Sequence, residues 1–480
     1  GEALIGATVY IQSLEKGAQT NVDGVYTITS VPSGTYNMSI TYIGYKSLSA
    51  SVQVGSGTVN FDAGLNIDLV GLEELVVTGI GTIDRQAFNG TVSTVSSEAL
   101  ESVPVASVDQ ALQGNAAGVV VTASTGTPGA VQQIRIRGIS SVNAGVSPLF
   151  VIDGVPVVSG DNAASTATSS LGVLSNISTA DIESITILKD AASTAPYGAR
   201  GTNGVVVINT KSGKSGSTVY SLSAQRGINS RAVTGEEAMS AEAYGEFVDA
   251  AIVNRFGSKA AAFGPGIDEN LSGSTLMANG FGIWDGTTST DWGEEVTNEN
   301  AIQQEYTLSA RGGNDVTNFY ISGVFGQEGQ AIGSYLDRVS GSVDVTHRLD
   351  ERVRVQNSFK GSFVEQDGIL EGGGYFGSPI LAQYFMLPTD AAYNADGTPN
   401  ITNLNASVFN PLYIQANDID RKRNYRVMNN TKIDVKLADN LDFTTRFAVD
   451  YLETEEKYYN NIFYGDSDTE KGSVNDISNR

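Results

Sequence analysis

Beyond Gly216 the chain repeatedly sets apolar residues against polar ones at alternate positions, over runs too long for most soluble folds. TVYSLSAQR places Tyr220, Leu222 and Ala224 opposite Ser221, Ser223 and Gln225. IQQEYTLSA places Ile302, Tyr306, Leu308 and Ala310 opposite Gln303, Glu305, Thr307 and Ser309. Val339, Val343 and Val345 oppose Ser340, Ser342 and Asp344; Val353, Val355, Phe359 and Phe363 oppose Arg354, Gln356, Ser358 and Lys360. Val427, Ile433, Val435 and Leu437 alternate with Met428, Asn430, Lys432 and Asp434, and Leu441, Phe443, Phe447, Val449 and Tyr451 with Asp442, Thr444, Arg446 and Asp450. With the less regular NFYISGVF, about seven strands are expected, many of roughly ten residues or more. The joints alternate as well. Short turns fall near 312–315, 348–351 and 437–440, and longer loops near 229–301, 329–337 and 366–424. A transmembrane β-barrel gives a reason for all three features: lipid outside, a polar lumen inside, tight turns on one rim and long loops on the other. A soluble β-protein is the alternative that the pattern alone leaves open.

Composition narrows the choice. At 480 residues several domains are expected. Only 17% of residues are charged, and 54 glycines with 20 tyrosines and 17 phenylalanines suit strands and turns better than helices. A net charge of -24 argues against nucleic-acid binding, which needs a basic footprint. With no cysteine, thiol chemistry and disulfides are excluded. No apolar run is long enough for a transmembrane helix. The chain starts at Gly1 rather than Met, so a processed chain or a fragment is expected.

Residues 1–70 read as a small β-sandwich, with alternating ATVYIQ, GVYTIT, TYNMSITYIGY and SASVQV and an Asp23-Gly24 turn. Residues 71–82, GLEELVVTGIGT, form a short apolar strand between glycines. Residues 83–215 mix signals. SVDQALQGNAAGV predicts a short helix with Ser107 as N-cap, followed by the brief apolar strands AGVVVTAS, AVQQIRIRG, PLFVIDGVPV, IESITILKD and NGVVVINTK. An enclosed α+β unit has this character.

The order of these pieces resembles the SusC/RagA family of TonB-dependent outer-membrane transporters. GATVYIQ, TNVDGVYTI and YIGYKS look like that family's N-terminal carboxypeptidase-regulatory-like domain, and LEELVVTGIGT resembles its TonB-box segment. SVDQALQGNAAGVVVTASTGTPGAVQQIRIRGISS, PLFVIDGVP and DIESITILKDAASTAPYGARGTNGVVVINTKSG resemble successive blocks of its plug domain. TDWGEEV, SARGGNDVTNFYISGVFGQEG and the following strands match the start of its barrel, so residues 216–480 are expected to be the first, incomplete part of an antiparallel transmembrane barrel. The chain departs from the family in lacking the first sandwich strand before Gly1 and in ending after about seven strands, where plugged transporters have about 22. A fragment of a longer chain is therefore expected. In the plug, ITIL and VVVINT would pair, and the KDAASTAPYGARG link would turn at the sheet's edge, close to the barrel wall.

Several residues are candidates for function. An extended apolar strand can add to a partner's sheet edge, and the resemblance names TonB as that partner for Leu72, Glu73, Glu74, Leu75, Val76, Val77, Thr78 and Gly79. The competing reading is a last sandwich strand running into a linker. Arg135 and Arg137 alternate with Ile134 and Ile136, so both emerge on one face, where they would meet acidic lumen side chains; Arg200 is assigned the same plug–barrel contact. Trp284 and Trp292, with the predicted helix EEAMSAEAYGEFVDAAIVNRF, lie in the 229–301 loop. They would contact substrate or a lid protein, pack the loop's own core, or sit in an aromatic girdle. His347 is the only histidine and is assigned a structural role at a strand end. One histidine allows no His-pair zinc site, GKS at 213–215 lacks the upstream glycine of a phosphate loop, and the acidic GDSDTEKG has no EF-hand spacing. No catalytic residue, metal or cofactor is assigned, and the chain is not expected to be an enzyme.

The resemblance implies active import: capture of a large nutrient, an oligosaccharide or oligopeptide, at the cell surface, followed by displacement of the plug when TonB pulls. It further implies an outer-membrane location with the N-terminal domain in the periplasm, contact with outer-membrane lipid, and a SusD-like surface lipoprotein as lid. Two rival readings remain: a plugged-barrel scaffold or secretion-associated component that does not import, and a receptor that signals ligand occupancy through its N-terminal domain.

Overall fold

The computed structural model describes the chain except for residues 1–3, 5, 15, 43–44, 46–47, 66–74, 78–81, 85–89, 98–99, 101–106, 124, 142–144, 158–170, 233–237, 275–283, 370–377, 403, 405–407, 466–472 and 480. It divides into two units, one of residues 1–77 and 81–89, the other of residues 78–80 and 90–480.

The first unit contains the strands β1 (Thr8–Ile11), β2 (Lys16–Gln19), β3 (Gly34–Thr41) and β4 (Leu48–Val54), in the order β2-β1-β3-β4, all antiparallel. Val9, Ile11, Met38 and Ile40 form its buried face, covered by Tyr26, Ile28, Val31, Phe61 and Leu65. The Asp23-Gly24 turn forms as expected, with Gly24 at φ 74° and its N–H donating to the Asn21 carbonyl. GVYTIT differs from expectation. Tyr26 and Ile28 alternate onto the core, but the segment joins no ladder. The carbonyls of Thr29 and Ser30 are taken by the Lys16 ammonium, and Ser30 turns to φ 55° ahead of Pro32. The short strands β5 (Leu75–Val77) and β6 (Thr82–Asp84) pair antiparallel.

The second unit begins with β7 (Val92–Ser96), a short helix at Val108–Ala111, and the hairpin of β8 (Val119–Ala123) and β9 (Gln132–Ile136). There follow β10 (Leu149–Ile152), β11 (Val155–Val157), β12 (Ile182–Leu188) and β13 (Val205–Thr210), giving a five-stranded sheet in the order β11-β10-β13-β12-β7. ITIL and VVVINT do pair, antiparallel. Ile185, Ile187, Val206 and Ile208 are wholly buried and join Phe150, Ile177 and Leu112 in one core. Strands covered on both faces read as unbroken apolar runs, which is why these two do. Their link lies between two inner strands, not at the sheet's edge. Asp190 caps its helical turn through the Ser193 N–H, and Gly204, at φ 91°, leaves no room for a Cβ beside Ile136 and the Leu188 carbonyl. That glycine admits close approach within the plug itself, not to the wall.

An eight-stranded antiparallel meander completes the unit: β14 (Gly216–Asn229), β15 (Ala301–Gly313), β16 (Thr317–Gly329), β17 (Tyr335–Arg348), β18 (Val353–Asp367), β19 (Ile419–Ala438), β20 (Leu441–Asn460) and β21 (Ser473–Asn479). The first seven run 13 to 20 residues, far beyond the usual five or six. β21 is the strand the sequence pattern missed. The alternation is preserved in three dimensions, with an unusual outcome. Leu222, Leu308 and Phe447 are 75%, 61% and 70% exposed, whereas Arg338, Gln366 and Arg426 on the opposite face are 3%, 0% and 3% exposed. The covered face is polar and the bare face apolar, the reverse of a sheet that folds in water.

Candidate functional site

The plug meets the polar face of the wall through carboxylates on its own strand ends. β10 and β11 are joined by the two-residue turn Asp153-Gly154, with φ of 47° and 80°. So tight a hairpin requires positive φ at both positions, which aspartate tolerates and glycine favours. The Asp153 carboxylate accepts the N–H (2.9 Å) and hydroxyl (2.8 Å) of Thr210, then the Lys360 ammonium of β18 at 2.6 Å. Asn430 of β19 donates to the Asp153 carbonyl at 3.0 Å. Burial would raise the carboxyl's pKa, but the charge and hydrogen bond of Lys360 and the Thr210 donors outweigh it and hold it below the ordinary carboxylate value.

Two further carboxylates stand at the start of β12. Asp181 accepts hydroxyl hydrogen bonds from Tyr320 (2.9 Å) and Ser322 (2.6 Å) of β16. Glu183 bridges Lys214 at 3.0 Å and Arg311 of β15 at 3.2 Å. Burial opposes its charge, while those two cations prevail and lower its pKa. Arginines of the wall also reach plug carbonyls. Arg426 donates to Val173 O at 3.1 Å while gripping Asp450 through both Nε and Nη2 (2.9 and 2.7 Å), and Arg338 reaches Ser175 O at 3.4 Å while paired to Glu305 at 2.7 Å. The plug thus supplies anions and carbonyls, the wall cations and hydroxyls.

Met428, Leu336 and Val364 are apolar residues of the wall's polar face that contact the plug. Met428 enters the plug's main core, and Leu336 with Val364 packs on Leu171. Gly129, at φ 72°, faces Leu336, where any Cβ would overlap the leucine methyl; Gly213 likewise leaves no space for a Cβ against the Asn318–Phe319 backbone.

The expected site residues fall elsewhere. Arg135 is half-buried on β9, with Nη2 donating to Gln133 at 3.0 Å. Arg137 is exposed at φ 60°; burial and its charge lower the pKa of Lys189. Arg200 is exposed in the turn before β13. Among the described residues none of the three pairs with a wall carboxylate. Trp292 is 2% exposed in a core with Val296, Met386, Val408 and Leu412, its Nε1 donating to Leu387 O at 3.0 Å. Trp284 packs on Val248 and Ile252 of the helix Ala241–Phe256, beside Gly273. Both rings therefore pack inside the loops, and Trp292 presents no free face. His347 is exposed and pairs with the Thr317 hydroxyl at 2.7 Å. Of the TonB-box residues, Leu72, Glu73, Glu74, Thr78 and Gly79 lie outside the described residues, while Leu75, Val76 and Val77 form β5. The contacts across the boundary (Asp153, Asp181, Glu183, Arg311, Arg338, Lys360 and Arg426) went unread in the sequence. PLFVIDGVPV, expected as one strand, is a hairpin, and its Asp153-Gly154 pair is the one local signal that could have marked any of them.

A small α+β unit seated by its strand ends on the polar face of a long antiparallel meander, whose other face is apolar and bare, defines a plugged β-barrel protein. Comparison with known proteins agrees. Residues 84–205 match the TonB-dependent receptor plug domain and residues 1–77 the CarboxypepD_reg-like domain. The chain is 30% identical over 461 residues to TonB-dependent receptor P3 of Formosa agariphila, covering 95% of this chain and 41% of that one. It is 36% identical over 216 residues to TonB-dependent receptor SusC of Bacteroides thetaiotaomicron, covering 45% and 20%. The RagAB peptide importer in its open-open state superposes with a TM-score of 0.65 at 24% identity, over 80% of this chain and 43% of that one, which shows a shared fold. The chain is thus similar to TonB-dependent receptors, SusC among them, through its N-terminal domain, its plug and its first wall strands. It spans less than half the length of the curated relatives it matches.

Proposed function

We propose that this chain forms the periplasmic domain, TonB-binding segment, plug and first wall strands of an outer-membrane importer, in the segments 1–70, 71–82, 83–215 and 216–480. It would take up a nutrient too large for passive pores, an oligosaccharide or an oligopeptide, under a SusD-like surface lipoprotein acting as lid. The observation that carries this reading is the inverted polarity of the wall: an apolar face left bare needs lipid, and a polar face closed by a separate plug needs a reason to open. Contacts across the plug boundary fit a cork that is held firmly yet reversibly. They are hydrogen bonds and ion pairs, which can exchange with water, with few apolar contacts. We assign Arg135, Arg137 and Arg200 to contacts between plug and barrel. Leu72–Gly79 would add as a strand to TonB, and β5 would first have to leave β6.

The test deletes residues 72–79 in the full-length protein and measures uptake and TonB crosslinking in intact cells. Loss of both, with surface expression unchanged, is expected. Undiminished uptake would overturn the import mechanism, and undiminished crosslinking would overturn the strand assignment.

A further inference from the structure

One buried carboxylate of the plug takes no part in the contacts described above. Asp109, in the short helix Val108–Ala111, is 5% exposed. Its Oδ2 accepts the Gln132 N–H of β9 at 3.2 Å, while Oδ1 has no hydrogen-bond partner among the described residues. The carboxylate borders a cavity of about 30 Å³, room for a water molecule. The cavity walls are chiefly apolar: Val131, Ile134, Pro148, Phe150, Val173 and Leu174. Gln132 and Ser147 are the other polar residues on that lining, and no further charge faces it among the described residues. Arg135 of β9 sits between the buried Ile134 and Ile136 and so takes the opposite face of the strand.

An anion in such surroundings is costly, and a neutral carboxyl far less so. Burial pushes the Asp109 carboxyl above its ordinary pKa, against the Ser107 hydroxyl and the N–H groups of Asp109, Gln132 and Gln110, which favour the anion. That direction is opposite to the one found for Asp153 and Glu183, which neighbouring cations hold down. The position makes the charge matter to the seam. Val173 and Leu174 of the turn Val173–Asn176 line the same cavity, and the wall holds that turn. Arg426 donates to Val173 O, Arg338 to Ser175 O, and Ser362 to Asn176 Oδ1 at 3.2 Å.

We propose that Asp109 is a proton-binding site that sets how firmly the plug is seated on the wall. With the proton bound, the neutral carboxyl fits the apolar cavity and the turn Val173–Asn176 stays in place. With the proton gone, the carboxylate draws water into the cavity, and the helix and that turn loosen together. The inference rests on the import reading and adds its regulation: a cork tighter in acid and looser toward neutral pH. Because the folded pKa is raised, the stability owed to the proton is complete below the ordinary value near 4 and lost as pH rises through the folded one.

Hydrogen exchange tests this, read by mass spectrometry on the full-length protein at about pH 5 and about pH 7.5, after correction for intrinsic rates. Segments 107–115 and 172–176 are expected to exchange several-fold faster at the higher pH, and the core strand Val205–Thr210 equally at both. Asp109→Asn and Asp109→Leu, two neutral replacements of different polarity, are each expected to abolish the difference. A carboxylic-acid carbonyl band in the infrared spectrum should titrate above the ordinary aspartate range in the parent and be missing from both variants. Equal exchange of the parent at the two pH values, or a difference that both variants keep, would overturn the site. Uptake of mixed oligosaccharides and oligopeptides by intact cells separates this inference from import itself. Slower uptake by Asp109→Leu cells, at unchanged surface expression, is expected. Unchanged uptake beside a flattened exchange profile would overturn the regulation, whereas no uptake by parent cells would overturn import and leave the proton site.

Discussion

The plug sheet and the wall sheet share one chain and one backbone geometry, yet they bury opposite residues. In the plug, Val205, Val206, Val207 and Ile208 are consecutive and all wholly buried, because helical turns, loops and wall cover both faces. In the wall, Ser358 is buried and its neighbour Phe359 is 44% exposed. The difference teaches that burial follows the surroundings each face meets: other protein on both sides of the plug sheet, and on the wall the plug over the polar face with, on the proposed reading, lipid over the apolar one.

The largest effect should come from treating the two sheets alike. Val207→Asp would place a charge in the plug's dry core and is expected to cost at least about 4 kcal/mol. Limited proteolysis of the full-length protein should then cut the plug while sparing the wall. The matching change on the wall, Phe359→Arg, is expected to cost about 2–4 kcal/mol in a bilayer. An equal penalty in detergent and in bilayer, or none in either, would break the contrast.

A smaller effect should follow from loosening the seam between the sheets. Asp153→Ala leaves the Lys360 ammonium without its carboxylate and Thr210 without two acceptors, a loss of about 2–3 kcal/mol for a partly buried pair. The urea midpoint for plug unfolding measures it. Acid should reproduce part of this loss. Asp153 and Glu183 have folded pKa values below their ordinary ones. Their contribution is therefore complete above the unfolded values near pH 4 and lost as pH falls through the folded ones. The alanine variant should show a flatter acid limb than the parent.

The wall was largely legible because period-two alternation is a local signal, as in Val353, Val355, Phe359 and Phe363 set against Arg354, Gln356, Ser358 and Lys360. β21 escaped because SVNDISN spaces its two apolar residues three apart and is rich in strand-poor Asn and Asp. Likewise, the strand character of IESITIL and VVVINT was plain, and so was their pairing. The seam was not legible. Asp153 and Lys360 stand 207 positions apart, and nothing near either residue names the other. Alternation put both arginines of QIRIRG on one strand face, but β9 ends at Ile136 and Arg137 turns to φ 60°, and which charges they would meet depends on distant strands. GVYTIT shows a further limit: its alternation puts Tyr26 and Ile28 on the core, yet the Thr29 and Ser30 carbonyls go to the Lys16 ammonium and no ladder forms.

The most direct measurement is residue-resolved photolabelling of the full-length protein in phospholipid vesicles by a lipid-soluble carbene precursor, read by mass spectrometry. Adducts are expected on Val343, Phe359 and Phe447 and not on the adjacent Ser342, Ser358 and Arg446. Equal labelling of both faces, or labelling of neither, would contradict a wall with lipid outside and the plug within.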